Sequence, residues 1–347
     1  METYCIGELS GDVLIVGGYG VGNIGDEAIL TGILKDSSQT IENITIVSHN
    51  KQETEQMHTN EVPAGVKISA IEPSPIQLAT ELYKNDHFIF GGGGLFSHYM
   101  GPYAEKIPYY AMAAKLLGRS VHWCAIGVYP STPKVTKQSL KLIMNRSDTV
   151  SVRDPISKQT LTDIGVDGIT LVEDPATQLD ADPLQGRRLL QKQDIDPDNQ
   201  IFAIAARRVK NRNNNENLQY TYAEVAKEMN QGCEVVFIPF CKHSYETLGM
   251  DGEVCESLAK KIDGGKVISY SHPIEALSIV AAVDGLLATR LHSMIFAHIA
   301  ETDLVAIEYA DKVTSLLAQY KKEHRGISLE GINPQSTIQK INQEIGI

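Results

Sequence analysis

Apolar positions fall along this chain in short β-branched runs separated by stretches of helical period. Asp12–Gly18 is the first run; a helix is expected over Asp26–Lys35 and a strand over Ile44–Ser48. That βαβ rhythm favours a parallel sheet. It continues with a strand His87–Phe90 running into Gly91–Gly94, a helix Tyr109–Leu117, a strand Ser120–Gly127 and a helix Ser139–Arg146. Strand Thr149–Val152, helix Pro155–Ile164 and strand Ile169–Val172 complete the first series. Asp180, Asp182, Pro183, Asp194, Asp196, Pro197 and Asp198 then mark a change of character, with one short helical piece among them. Such a polar, proline-bearing stretch reads as a connection between domains.

A second series follows: strands Ile201–Ala205, Glu234–Pro239, Lys266–Ser269, Gly285–Ala288 and Leu304–Ile307. Helices Leu218–Met229, Gly252–Ile262, Pro273–Ala281 and His292–Ala300 alternate with them. The asparagine-rich patch Asn211–Asn217 reads as an exposed loop. The pattern predicts an α/β protein of two doubly wound Rossmann-like domains facing across a cleft, a GT-B-like arrangement with ligands at the C-terminal strand ends. The expected division is residues 1–180, a linker 181–199, residues 200–330, and a C-terminal helix within 331–347 packing back on the N-terminal domain.

A length of 347 residues agrees with two domains. Hydrophobic content of 42% and charged content of 21% are ordinary for a globular chain. The net charge of −12 works against non-specific binding of nucleic acid or anionic membrane. An anionic substrate would need a local cationic pocket, so individual arginines carry information. The apolar runs Ile279–Val283 and Gly285–Ala288 fall far short of the ~20 residues that span a bilayer. The acidic start METYCIGELSGDV has no signal-peptide core. Five cysteines without a CxxC pair are read as free thiols in a reducing cytosol. A cytoplasmic protein is expected, meeting any membrane-borne substrate peripherally at the inner face.

Between the first strand and helix, Gly18–Leu30 reads GYGVGNIGDEAIL, with G-x-G-x-x-G at Gly20, Gly22 and Gly25. That placement suits a dinucleotide pyrophosphate. Two details oppose it. The second strand ends Ser48-His49-Asn50 with no acidic residue for a ribose. Asp26 and Glu27 in the first helical turn would repel a phosphate. A glycine turn capped by Asp26, or a loop lining a sugar site through Gly22, Asn23, Gly25 and Asp26, are the other readings. The run Gly91–Gly94, and Gly92, Gly93 and Gly94 in particular, leaves backbone N–H groups bare for a ligand. His98 follows shortly after.

Taken in order, GYGVGNIGDEAIL, GGGGLF at Gly91–Phe96, SVRD at Ser151–Asp154, EVVFIPF at Glu234–Phe240, TRLHSMIFA at Thr289–Ala297 and AIEYADKV at Ala306–Val313 resemble the motifs of the polysaccharide pyruvyl transferases. The matches span about residues 12–315. The segment after Phe240 departs from the pattern, with His243 and Glu246 where an aspartate is expected. The resemblance implies phosphoenolpyruvate as donor substrate and a sugar acceptor, often lipid-linked. It implies a pyruvate ketal as product, and neither metal nor cofactor.

Phosphoenolpyruvate carries a carboxylate and a phosphate, both of which an arginine fork can grip bidentately. Arg153 and Arg290 each follow a strand, at the ligand edge of each sheet, and could clamp one dianion. Arg207 ends the first strand of the second series and is a further contact. His292, beside Leu291 and Arg290, is the candidate proton carrier; acid, base and phosphate donor are all open roles. An ion pair with a neighbouring carboxylate is the plainer account of Arg153. Asp174 in VEDP reads as a loop cap before Pro175. His98, and less directly His243, Tyr245 and Glu246, are placed near the acceptor. A nucleotide-sugar glycosyltransferase of the same fold, or a non-catalytic sugar- or anion-binding protein, are the rival readings.

Overall fold

In the computed structural model, residues 6–97, 102–242 and 249–347 are described. Two compact units emerge. One comprises Met1–Val21 and Asp26–Gln178; the other comprises Leu179–Ile347 together with the short segment Gly22–Gly25.

The first unit alternates β1 (Gly11–Tyr19), α1 (Ile24–Lys35), β2 (Ile41–Ser48), α2 (Lys51–His58), β3 (Lys67–Ile71), α3 (Pro75–Lys84), β4 (His87–Phe96), α4 (Pro102–Leu116), β5 (Ser120–Val128), α5 (Lys134–Met144), β6 (Thr149–Val152), α6 (Pro155–Asp163) and β7 (Ile169–Leu171). All strand pairs are parallel, in the order β3-β2-β1-β4-β5-β6-β7. Strand alternation divides β1 between two cores. Leu14 and Val16 pack with Phe88, Phe90 and Trp123 on one face, while Val13 and Ile15 pack with Ile29, Leu30 and Ile33 of α1 on the other. A sheet buried on both faces explains why its central strands read as continuous apolar runs.

The second unit holds α7 (Pro183–Gln191), β8 (Ile201–Ala205), α8 (Arg212–Met229), β9 (Glu234–Phe237), α9 (Asp251–Ala259), β10 (Lys266–Val267), α10 (Pro273–Val280), β11 (Gly285–Ala288), α11 (Leu291–Ile299), β12 (Leu304–Glu308), α12 (Asp311–Gln319), β13 (Gly326–Ser328) and α13 (Pro334–Glu344). Its parallel sheet runs β10-β9-β8-β11-β12-β13. In both sheets the order reverses beside the first strand, at β1/β4 and at β8/β11, which creates a switch point in each.

Several expectations are corrected. The stretch 181–199, read as a linker, is folded into the second unit: Asp182 caps α7 by accepting from Leu184 N and Gln185 N. Gly186 of α7 lies so close to the Ser278 carbonyl of α10 that a Cβ would overlap it. The C-terminal helix, expected to pack on the first domain, buries Ile341 in the second unit's own core with Tyr222 and Val305. Asn211–Asn217 is not a loop. Asn211 caps α8 through its side chain, accepting from Asn214 N at 3.0 Å, and the helix starts at Arg212. The glycine run does not end its strand either, because β4 continues to Phe96 with Gly92 and Gly93 at φ +59° and +85°. Cys124 is disulfide-bonded, so the reading of five free thiols fails there; Cys233, Cys241 and Cys255 are free.

Candidate functional site

The switch point of the second unit gathers the cations. Ala205 of β8 pairs in register with Ala288 of β11. Arg207 and Arg290 each lie two residues past these partners, so the two strands deliver their guanidinium groups to one edge. Arg290 donates from Nε and Nη2 to the two oxygens of Asp251 at 2.8 and 2.5 Å. Asp251 is fully buried at the start of α9. Burial pushes its carboxyl pKa up and Arg290 pulls it back, while the pairing holds the guanidinium charged. The Arg207 guanidinium stands 4.3 Å from the ring centroid of Tyr309, just past β12, and Lys312 Nζ stands 5.4 Å from the same ring. Arg207 also donates from Nε to the Arg208 carbonyl. Among the described residues no carboxylate lies within ion-pair distance of Arg207. Burial would raise the Tyr309 phenol, but Lys312, Arg207 and Arg290 together bring it down to about 8.

α11 begins directly after Arg290, whose carbonyl accepts from Ser293 Oγ at 2.6 Å. Leu291 and His292 fill its first turn and are buried. The His292 ring lies against Gly25: a Cβ on Gly25 would overlap its Nδ1. The rest of Gly22–Gly25 is tied to the segment beyond β9. Lys242 N donates to Gly22 O at 2.7 Å, Ile24 N donates to Phe240 O at 3.0 Å, and Asn23 forms an antiparallel bridge with Cys241. Asn23 Oδ1 accepts from Gly25 N. Gly22, at φ +80°, would bring a Cβ to 3.3 Å from the Lys242 backbone. Gly22 and Gly25 thus allow a close approach of this turn to Lys242 and to the His292 ring.

The first unit builds a different edge. Arg153, after β6, donates to Asp174 Oδ2 at 2.7 Å, and both side chains are buried. Its Nη2 reaches Tyr129 Oη at 3.4 Å, and that hydroxyl donates to Asp154 Oδ2 at 3.2 Å. Burial pushes the Tyr129 phenol up to about 12 against the pull of Arg153. Asp154 also caps α6, and Asp174 caps the turn at Ala176. A Cβ on Gly94 would meet Arg153 and Tyr129, one on Gly93 would meet Asp26, and one on Gly92 would overlap Ile29. Asp26 also faces Gly18. Behind the glycine turn, Gly20 N donates to Glu27 Oε1 at 2.7 Å, and Glu27 Oε2 meets buried His58 Nε2 at 3.0 Å. This edge pairs its arginine with a carboxylate and presents more acid than base.

The structure thus brings Arg207, Arg290, Leu291, His292, Gly22, Asn23 and Gly25 together in the second unit. Arg153, Asp26 and Gly92–Gly94 gather in the first. His98 lies outside the described residues, as do His243, Tyr245 and Glu246. Sequence reasoning missed Asp251, Tyr309 and Lys312. The last two stood inside the quoted motif AIEYADKV, which was the available signal. Asp251 carried none, being 39 residues from its partner.

The solved structures similar to this chain share the fold at low sequence identity. The UDP-GlcNAc 2-epimerase of Neisseria meningitidis bound to UDP-GlcNAc matches with a TM-score of 0.63 at 12% identity, covering 96% of this chain and 91% of that one. The UDP-GlcNAc 2-epimerase of Methanocaldococcus jannaschii gives 0.62 at 12%, covering 96% and 92%. The E. coli ADP-heptose LPS heptosyltransferase II gives 0.54 at 12%, covering 96% and 98%. They place the chain in the two-domain, Rossmann-like, GT-B-like class. A search of curated proteins finds no match. The family described as "Polysaccharide pyruvyl transferase" matches residues 23–311, which hold both Arg207 and the Arg290–His292 segment. This chain therefore belongs to the polysaccharide pyruvyl transferase family.

Proposed function

We propose that the protein transfers the pyruvyl group of phosphoenolpyruvate to two hydroxyls of a sugar in a polysaccharide or lipid-linked precursor. The observation that carries this reading is the juxtaposition of Arg207 and Arg290 at the β8/β11 switch point, with His292 in the next helical turn. A carboxylate beside a phosphate calls for two cations, and one cation would leave one group unmatched. Asp251 spends part of the Arg290 charge but fixes the guanidinium plane. Arg207 and Lys312 supply the remainder.

The chemistry needs a proton delivered to the donor methylene, which leaves a cation at the carbon bearing the phosphate. A first sugar hydroxyl forms a C–O bond there and gives up its proton. The C–O bond to phosphate then breaks with its electron pair leaving on phosphate, which takes up a proton. A second hydroxyl closes the ketal and loses its proton. Counting these transfers, two protons leave the hydroxyls, one ends on the methyl group and one on phosphate. His292 is assigned the proton exchange, imidazole being the side chain that most often serves as general acid or base. We assign donor binding to the second unit and the acceptor to the strand ends of the first, where Asp26, Asp154 and Tyr129 offer partners for hydroxyls. Arg153, already paired with Asp174, is assigned to positioning Tyr129.

The test is phosphate release from phosphoenolpyruvate with free and lipid-linked sugar acceptors, run beside Arg207→Ala, Arg290→Ala and His292→Ala. Acceptor-dependent release that all three variants abolish is expected. Turnover of a nucleotide sugar with no release of phosphate from phosphoenolpyruvate would overturn the reading in favour of glycosyl transfer.

A further inference from the structure

The net charge of −12 hides a strongly uneven distribution. Between Pro102 and Arg146 there is one acidic residue, Glu105, against seven basic ones: Lys106, Lys115, Arg119, Lys134, Lys137, Lys141 and Arg146. This span carries +6, so the remaining chain carries −18. α5 with its C-terminal extension to Arg146 contains no acid at all.

The same span is where apolar side chains reach solvent. Of the ten large exposed hydrophobic residues among those described, five lie in this span on α4, its last turn and α5, and two more, Ile76 and Tyr83, lie on the neighbouring α3. Leu116 is 82% exposed, Val135 69%, Tyr109 61% and Leu142 48%. On α4, Tyr109 and Leu116 are seven residues apart; on α5, Val135 and Leu142 are too. Each pair therefore shares one helix face. Lys134 and Lys141 repeat the same interval one step back and are exposed. The inward faces are spent in the core through Ile107, Ala111 and Ala114 on α4 and Leu140, Ile143 and Met144 on α5. Lys115 and Arg119 pair with Asp148 and Asp86, so the basic character rests on exposed Lys106, Lys134, Lys141 and Arg146, beside the exposed apolar residues.

We propose that this α3–α4–α5 face docks on an anionic membrane surface. Exposed leucine and tyrosine insert at the headgroup level while the lysines neutralise lipid charge. Among the described residues no helix is long and apolar enough to cross a membrane, so the contact is peripheral. A nucleic-acid site would use the lysines but leave Leu116, Val135 and Leu142 without a role. The surface lies in the first unit and does not depend on the donor assignment.

The test is flotation of the full chain with vesicles of phosphatidylcholine alone or with one third phosphatidylglycerol. The wild type should float with the anionic vesicles, and raised salt should weaken the binding. Lys134→Glu with Lys141→Glu, and separately Leu116→Asp with Leu142→Asp, should each lower the bound fraction about tenfold or more. All four positions are exposed, so both variants should keep the wild-type melting temperature and phosphate release with a free acceptor. Absence of flotation, or equal flotation with neutral vesicles, would overturn the proposal. A dimer that Leu116→Asp converts to monomer would also overturn it, assigning the face to a second copy of the chain.

Discussion

Arg290 and Asp251 meet as two parallel hydrogen bonds, at 2.8 and 2.5 Å, with the carboxylate fully buried. The pair turns a flexible side chain into a fixed fork. Breaking a buried ion pair by removing one partner costs about 3–5 kcal/mol, since the other charge is left uncompensated. Asp251→Ala should therefore lower the melting temperature by several degrees or more in a calorimetric scan. Asp251→Asn keeps one acceptor and should fold. Its KM for the donor should rise more than its kcat falls, because the guanidinium is no longer held in plane. An unchanged KM would remove Arg290 from donor binding.

Tyr309 sits under Arg207 and near Lys312, which bring its phenol down to about 8 against the opposing effect of burial. A lowered acid contributes stability that is present above the unfolded value near 10 and is lost as pH falls through about 8. Titration of the phenolate absorbance should show one tyrosine ionising near 8. Lys312→Gln should move that midpoint upward, and Tyr309→Phe should abolish it.

His122, on β5 of the first unit, shows the same direction of dependence in a more acidic window. Burial first, then His87 and Lys115, bring its pKa down to about 4, with Asp148 acting the other way. Its Nε2 meets His87 Nδ1 at 3.2 Å and its Nδ1 meets Thr149 Oγ1 at 3.1 Å. The stability this contributes is complete above the unfolded value of 6.5 and is lost as pH falls toward 4. The amount is on the order of 3 kcal/mol at most, from the shift alone. Denaturant unfolding across that window should show the loss, and His122→Asn should flatten the slope.

Gly25 tests the placement of His292. It lies in the first turn of α1 and is not among the positive-φ glycines, so alanine suits its backbone and favours the helix by about 1 kcal/mol. A Cβ there would nevertheless overlap the His292 ring. Gly25→Ala should leave the fold intact by circular dichroism while activity falls ten- to a hundredfold, on the order of a misplaced catalytic group. Retained activity would show that His292 tolerates displacement and is not the proton carrier.

Much of this architecture was readable because its signals are local. The short apolar runs of β1, β5, β8 and β11 and the helices between them announce parallel βα units over windows of about ten residues. Where tertiary contacts override local preference, the reading failed. Asn211–Asn217 is polar and looks like a loop, yet the helix starts at Arg212 because Asn211 caps it and Leu218, Tyr222 and Val225 anchor it in the core. Gly91–Gly94 looks like a strand terminator, yet it pairs on through Gly91 and Gly93 to Cys124 and Ile126 of β5. Its missing side chains are what admit the Tyr19 ring and Ile29.

The βαβ repetition and the motif carrying Arg290 and His292 are legible in the chain, because each is written in neighbouring residues. The sequence by itself could not say which charges meet. Arg207 stacks on Tyr309 across 102 positions, and Arg290 binds Asp251 across 39. Only the strand order β9-β8-β11-β12 makes them neighbours. Packing likewise pairs Arg153 with Asp174, while among the described residues no carboxylate lies within ion-pair distance of Arg207. In a buried site a cation's availability depends on whether its counter-charge is packed against it, and packing across a sheet joins residues that the chain keeps far apart.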